Sequence, residues 1–266
     1  MTTTHSNPQS TPLLITRDSG IVTLSFNRPQ AMNALDVPTA TAFLDACQSL
    51  VDDPHVRAVV IRGEGRAFGA GGDLSALRHD SAATAHTLIG AMHEAVVLLA
   101  ALNAPVIASV HGVVAGGSLS LCMACDLTIA AEGTRFNLAY ANVAASCDVA
   151  ASWSLPRLVG MRRAMEIALL SDTFDAPEAL RLGLVNRVVP LEKLHEETLA
   201  LAQRLAAGPT LAYGRLKRLI RQSFETDLPT QLDAERENFK ASTQTHDFQE
   251  ALDAFFTKRP AVFKGQ

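Results

Sequence analysis

Cysteine is scarce in this 266-residue chain, and the four present (Cys47, Cys122, Cys125 and Cys147) are too few for a disulfide scaffold at that length. No apolar run reaches the roughly 20 residues that a bilayer span requires. The most apolar stretch, 95–110, is interrupted by Asn103 and Pro105. Nothing resembles a secretory signal. Basic residues are scattered, with one small group at Arg215, Lys217, Arg218 and Arg221, and the formal net charge is -4. A nucleic-acid backbone would find no stripe to follow. GxxxxGK[ST] is absent, Gly63-Glu64-Gly65 lacks the third glycine of a dinucleotide fingerprint, and the eight histidines show no metal-ligand spacing. These absences argue against a nucleic-acid partner, a membrane protein and a nucleotide or metal enzyme, and they make the cytoplasm the default location.

What is present is a chain 48% hydrophobic, enough to bury one large core. Residues 1–12, polar with two prolines, are expected to form a disordered tail. The stretch 13–26 holds two β-branched runs around Asp18-Ser19-Gly20, the pattern of a hairpin. A helix fits 37–51, with Pro38 in its first turn and Ala42, Leu44, Ala46, Leu50 and Val51 as its apolar face. A buried strand over 56–62, a glycine-rich loop, a helix over 79–102 and a second buried strand over 105–110 follow. The order repeats through a helix at 116–125 and a strand at 127–130, which argues for an α/β core containing parallel strands. From about residue 195 only helical periodicity remains, so the expected division is a core over 13–194 and a helical appendage over 195–266.

Two glycine-rich turns stand out. Phe68-Gly69-Ala70-Gly71-Gly72-Asp73 and His111 through Ser118 each follow a buried strand. Without side chains, their backbone N–H groups can approach a ligand closely. Two such turns converging on one oxygen would form an oxyanion hole. Glycines that merely make tight turns would look the same. Composition and spacing therefore stop at an α/β enzyme with two candidate anion-stabilising turns.

Longer motifs carry a resemblance. SFNRPQAMNALD (25–36), AFGAGGDL (67–74), APVIASVHGVVAGGSLSLCMACDLTIAA (104–131), LPRLVGMRRAMEIALLSDTFDAPEALRLGLVNRVVP (155–190) and FFTKRPAVFKG (255–265) resemble, in order, the enoyl-CoA hydratase/isomerase (crotonase) family. The resemblance implies an α/β, ClpP-like spiral of ββα units whose C-terminal helices serve as a trimerisation or lid region. It implies a homotrimer or dimer of trimers acting on acyl-CoA thioesters, with no cofactor beyond the coenzyme A of the substrate. By position, the N–H groups of Ala70 and Gly117 would hold the thioester oxygen. Arg28 and Lys258 would lie near the coenzyme A, and Ala31, Phe68, Gly72, Asp73, Leu74, Gly116 and Tyr140 would line the substrate site.

The chain departs from the family's hydratases, which use two glutamates. Ser120 and Tyr140 occupy those positions, so the two-glutamate route cannot operate in its usual form. Asp148 instead matches the aspartate of the epoxyphenylacetyl-CoA isomerase branch and the nucleophile of 4-chlorobenzoyl-CoA dehalogenases. An N-cap at a helix start is its ordinary alternative. His93 aligns with the histidine that assists hydrolysis in the dehalogenase, and equally reads as one residue of an amphipathic helix. The leading expectation is isomerisation of an enoyl- or aryl-acetyl-CoA through Asp148. Water-mediated hydration, aryl-CoA dehalogenation and a catalytically inactive CoA-binding protein are the alternatives. Cys122 and Cys125 have CxxC spacing but no second pair, and read as core thiols.

Overall fold

The computed structural model describes residues 11–78 and 80–266, so most of the expected tail, and His79, the expected first residue of the second helix, lie outside the described residues. The hairpin forms as expected: β1 (Leu13–Asp18) runs antiparallel to β2 (Ile21–Phe26), turning at Ser19 and Gly20. The strands β3 (Ala58–Gly63), β4 (Val106–Val110), β6 (Leu127–Ala131) and β9 (Arg187–Val189) then add in parallel, giving the order β1-β2-β3-β4-β6-β9. Parallel neighbours need crossover connections, and α1 (Val37–Val51) and α2 (Ser81–Ala101) supply the first two. A small second sheet, β5-β7-β8, joins Val113–Ala115, Arg135–Asn137 and Phe174–Asp175. Its strands are too short to show periodicity in the sequence.

Helix α1 begins where its chemistry directs. Asp36 accepts a hydrogen bond from Thr39 N–H at 2.9 Å, and Pro38 sits in the first turn where no N–H is needed. Its buried face is Thr39, Ala40, Phe43, Ala46, Cys47 and Leu50, rotated from the expected one, and Val51 is exposed. Residues three and four apart share a helix face, whereas Ala42, Leu44 and Ala46 lie two apart. The main core lies between the sheet and α1, α2 and α3 (Gly116–Ala124), and contains Leu24, Phe26, Phe43, Ile61, Met92 and Leu121. By length and composition α2 would also suit a membrane span. In the fold its Leu88, Met92, Ala95 and Leu99 are buried in that core.

The expected boundary at residue 195 falls inside α7 (Leu194–Ala206). Ala202, Leu201 and Leu205 of this helix cover the other face of the sheet, against Ile21, Ala58, Val60 and Ile107. Packing therefore assigns α7 to the core, and the appendage begins with α8 (Thr210–Gln222), followed by α9 (Leu228–Thr243) and α10 (His246–Thr257). The single basic cluster clamps α8 down. Lys217 and Arg221 both pair with Asp126, at 2.7 and 2.9 Å, Lys217 also reaches Ala104 O and Arg221 reaches Ala100 O. Between β6 and that appendage come α4 (Ala151–Val159), α5 (Met161–Leu170) and α6 (Ala176–Arg181).

Candidate active site

The first glycine turn spends its backbone donors one by one. Phe68 N–H donates to His111 O, Gly69 to Val113 O, Ala70 to Met32 O at 3.0 Å, Gly71 to Ser118 Oγ at 3.2 Å and Asp73 to Leu35 O. Gly72 N–H alone has no protein acceptor among the described residues. Backbone donors in a folded interior are nearly always paired, so an unspent one in such a turn is available to a ligand. This corrects the expectation for Ala70, whose N–H is consumed by a carbonyl from the loop after β2. Gly72 takes its place.

The second turn runs through β5 into α3. Gly117 lies in the first turn of α3, where N–H groups have no partner within the helix. The two turns touch: a Cβ built on Gly71 would lie 3.4 Å from Gly117 N, and one built on Gly116 would lie 3.5 Å from Gly71 Cα. At Gly69 a Cβ would fall 2.2 Å from Ser118 Oγ, so only glycine permits this approach. Sequence reasoning missed Ser118, which is 2% exposed and ties one turn to the other. It also missed Asn33, whose buried amide donates to Glu64 O and Ala67 O and whose Oδ1 accepts from Arg28 N–H. Asparagine tolerates the left-handed φ of 53° found there.

Asp148 stands beside Gly117. A Cβ on Gly117 would be 3.6 Å from Asp148 Oδ1, 3.6 Å from Leu35 Cδ1 and 3.8 Å from the Tyr140 hydroxyl. Asp148 does not cap α4: its main-chain O accepts from Ala151 N–H, while its Oδ1 accepts a hydrogen bond from Tyr140. No donor meets Oδ2 among the described residues. Because the Tyr140 proton goes to Asp148, Tyr140 accepts at 3.0 Å from Ser120 Oγ, whose single proton is shared with Gly116 O at 3.2 Å. Burial, and then the neighbouring Asp148 carboxylate, push the Tyr140 phenol far above its ordinary range, so it stays protonated and donates. The two residues at the glutamate positions thus form one neutral chain ending on Asp148. His93, expected either on a helix surface or as a base, accepts a hydrogen bond from Val149 N–H at 3.1 Å.

Other expected positions fare differently. Phe68 is 0% exposed, with its ring edge-on to Phe26, so its side chain belongs to the core and cannot line a substrate site. Arg28 is an internal tie: its guanidinium donates to Ala34 O and pairs with Asp36 and Asp73 at 3.2 and 3.1 Å. The Asp73 carboxyl is held below its usual range by Ser75 first and by Arg28 second. Ala31 ends a 3-10 turn beside that tie, Leu74 is 56% exposed, and Gly116 opens α3 with a φ of 49°. Lys258 is exposed at the end of α10, with no ion pair among the described residues. Burial pushes the Cys122 thiol up to about 11 against a smaller opposing effect of its hydrogen bond with Thr128, and Cys125 lies half-buried beside it.

Among the described residues this arrangement offers two unspent amides at touching turns and, next to them, one carboxylate oxygen without a donor. Such a site can stabilise negative charge on a carbonyl oxygen while the carboxylate moves a proton. The family model for enoyl-CoA hydratase/isomerase matches residues 16–266. The 1,2-epoxyphenylacetyl-CoA isomerase of Escherichia coli K12 is 32% identical over 253 residues, covering 94% of this chain and 97% of its own. The 4-chlorobenzoyl coenzyme A dehalogenase-2 of an Arthrobacter species is 33% identical, covering 90% of this chain and 88% of its own. The solved enoyl-CoA hydratase of Mycobacterium smegmatis superposes with a TM-score of 0.89 at 34% identity, covering 95% of this chain and 98% of that one. The fold is therefore the crotonase fold, and the chain belongs to the enoyl-CoA hydratase/isomerase family of acyl-CoA enzymes.

Proposed function

We propose that this protein isomerises an enoyl- or aryl-acetyl-CoA, with Asp148 as its single acid/base group. For a 3-enoyl thioester, Asp148 Oδ2 takes a proton from C2. The C–H electron pair spreads into a dienolate whose oxygen rests on Gly72 and Gly117 N–H. The same carboxyl group then returns the proton to C4, which restores the thioester carbonyl with the double bond at C2. No water enters and no second carboxylate is needed. The observation that carries the reading is the carboxylate itself: Oδ1 accepts from a protonated tyrosine, Oδ2 meets no donor among the described residues, and the two glutamate positions are neutral and bonded to each other. Hydration would instead require a water held in place and deprotonated.

Purified protein assayed on a 3-enoyl-CoA, crotonyl-CoA and 4-chlorobenzoyl-CoA tests this, alongside Asp148→Asn. The expected result is isomerisation that falls about 10²- to 10⁴-fold in the variant. Undiminished isomerisation by Asp148→Asn would refute the mechanism. The dehalogenase relative favours a second reading, in which Asp148 attacks the ring carbon, chloride leaves and water releases the product. Chloride release would establish it. The proposal includes a homotrimer or dimer of trimers in the cytoplasm. Supporting it, Phe255 and Phe256 at the end of α10 are 76% and 77% exposed, and Leu216, Ile220, Leu232 and Phe239 are exposed along α8 and α9. Light scattering that finds a monomer would remove that part.

A further inference from the structure

We infer that His93 is a positioning residue for Asp148 and not a base that activates water; the inference rests on Asp148 being the acid/base group. Val149 and Ala150 both adopt left-handed backbone, with φ of 49° and 64°. That conformation is an outlier for a β-branched residue and persists only where the surroundings impose it. Val149 is 1% exposed, so its N–H has no water to fall back on. His93 Nε2, arriving from α2, is the acceptor it meets. The left-handed pair lets the chain send Asp148 towards Tyr140 and Gly117, bury Val149 in the core, and still enter α4 at Ala151, whose N–H returns to Asp148 O.

The tautomer follows from the partner. An amide N–H can only donate, so Nε2 presents its lone pair, and the neutral ring then carries its proton on Nδ1. A neutral imidazole has one basic lone pair, and here Val149 occupies it. Without that acceptor the Val149 amide is buried and unpaired, and its nearest relief is to leave the left-handed region. Asp148 precedes it directly and would swing away from Gly117. The Gly72 and Gly117 N–H groups lie outside this segment and would persist, so the loss belongs in kcat.

The test compares His93→Gln, which keeps an acceptor, with His93→Leu, which has none. It is paired with ¹⁵N NMR of the wild-type imidazole. On a 3-enoyl-CoA, His93→Leu is expected to lose about 10- to 100-fold in kcat with KM unchanged, and His93→Gln to recover most of it. The wild-type spectrum is expected to show an unprotonated Nε2 and a protonated Nδ1. Full kcat in His93→Leu, a protonated Nε2, or chloride release from 4-chlorobenzoyl-CoA that His93→Gln abolishes would each overturn the inference. If the wild type isomerises no enoyl-CoA the functional reading fails, and the imidazole spectrum still decides the role of His93.

Discussion

Replacing Gly117 with alanine separates folding from chemistry, because its two readouts should move in opposite directions. The new methyl would lie 3.6 Å from Leu35 Cδ1, 3.6 Å from Asp148 Oδ1 and 3.8 Å from the Tyr140 hydroxyl, all ordinary contact distances. Gly117 is helical in α3 and is not among the positive-φ residues, so alanine meets no backbone strain. Alanine is preferred to glycine in a helix by about 0.5–1 kcal/mol. For a chain of this size that corresponds to a melting temperature about 1–4 °C higher. The reacting carbon of a substrate, however, must come within about 3–3.5 Å of the carboxylate. A methyl 3.6 Å from Oδ1 crowds the Gly117 side of this carboxylate, where the acyl group is proposed to lie on its way to Oδ2, and kcat/KM should fall by about 100-fold or more. Scanning calorimetry and an isomerase assay on a 3-enoyl-CoA give both numbers from one preparation. Wild-type kcat/KM in Gly117→Ala would refute the placement of the acyl group between Gly117 and Asp148, and a lower melting temperature would refute the packing argument.

Two further outcomes concern stability. Asp126→Ala strips the partner from Lys217, whose side chain is 10% exposed, and from Arg221. Leaving a buried cation uncompensated should cost about 3–5 kcal/mol in urea unfolding and loosen α8. Burial pushes the Cys47 thiol from an ordinary 9.0 up to about 12. The unfolded chain then gives up this proton near pH 9 while the folded chain keeps it, so urea midpoints should decline between pH 9 and 12, and Cys47→Ser should flatten that decline. Iodoacetamide at pH 8 should leave Cys47 unlabelled until the protein is denatured.

The elements were largely legible because their signals are local. Asp36 and Pro38 mark the start of α1, unbroken apolar runs mark β3 and β4, and Asp18-Ser19-Gly20 marks the hairpin turn. Gly117 and Asp148 could be singled out from motifs alone, and the structure sets them side by side. What failed depended on distant partners. Ala70 has the look of a free donor until Met32 O is seen to take its N–H, and Arg28 that of an open cation until Asp36 and Asp73 close on it. Phe68 lies in a turn otherwise rich in candidate contacts, yet its ring finds Phe26. The link from Ser120 through Tyr140 to Asp148 joins three segments and leaves no trace in spacing.

In the proposed mechanism the charge-stabilising donors are main-chain atoms, which has a consequence for how such a protein can diversify. Gly72 and Gly117 offer N–H groups that almost any substitution would retain, since only proline removes one. The neighbouring amides are already committed to Met32, Ser118, Val113 and Leu35. The carboxylate, by contrast, is one side chain on a separate segment, steadied by Tyr140 on one side and by His93 through Val149 on the other. On the proposed reading, substitutions on the Asp148 segment could change the chemistry while the main-chain donors for a thioester oxygen stayed in place.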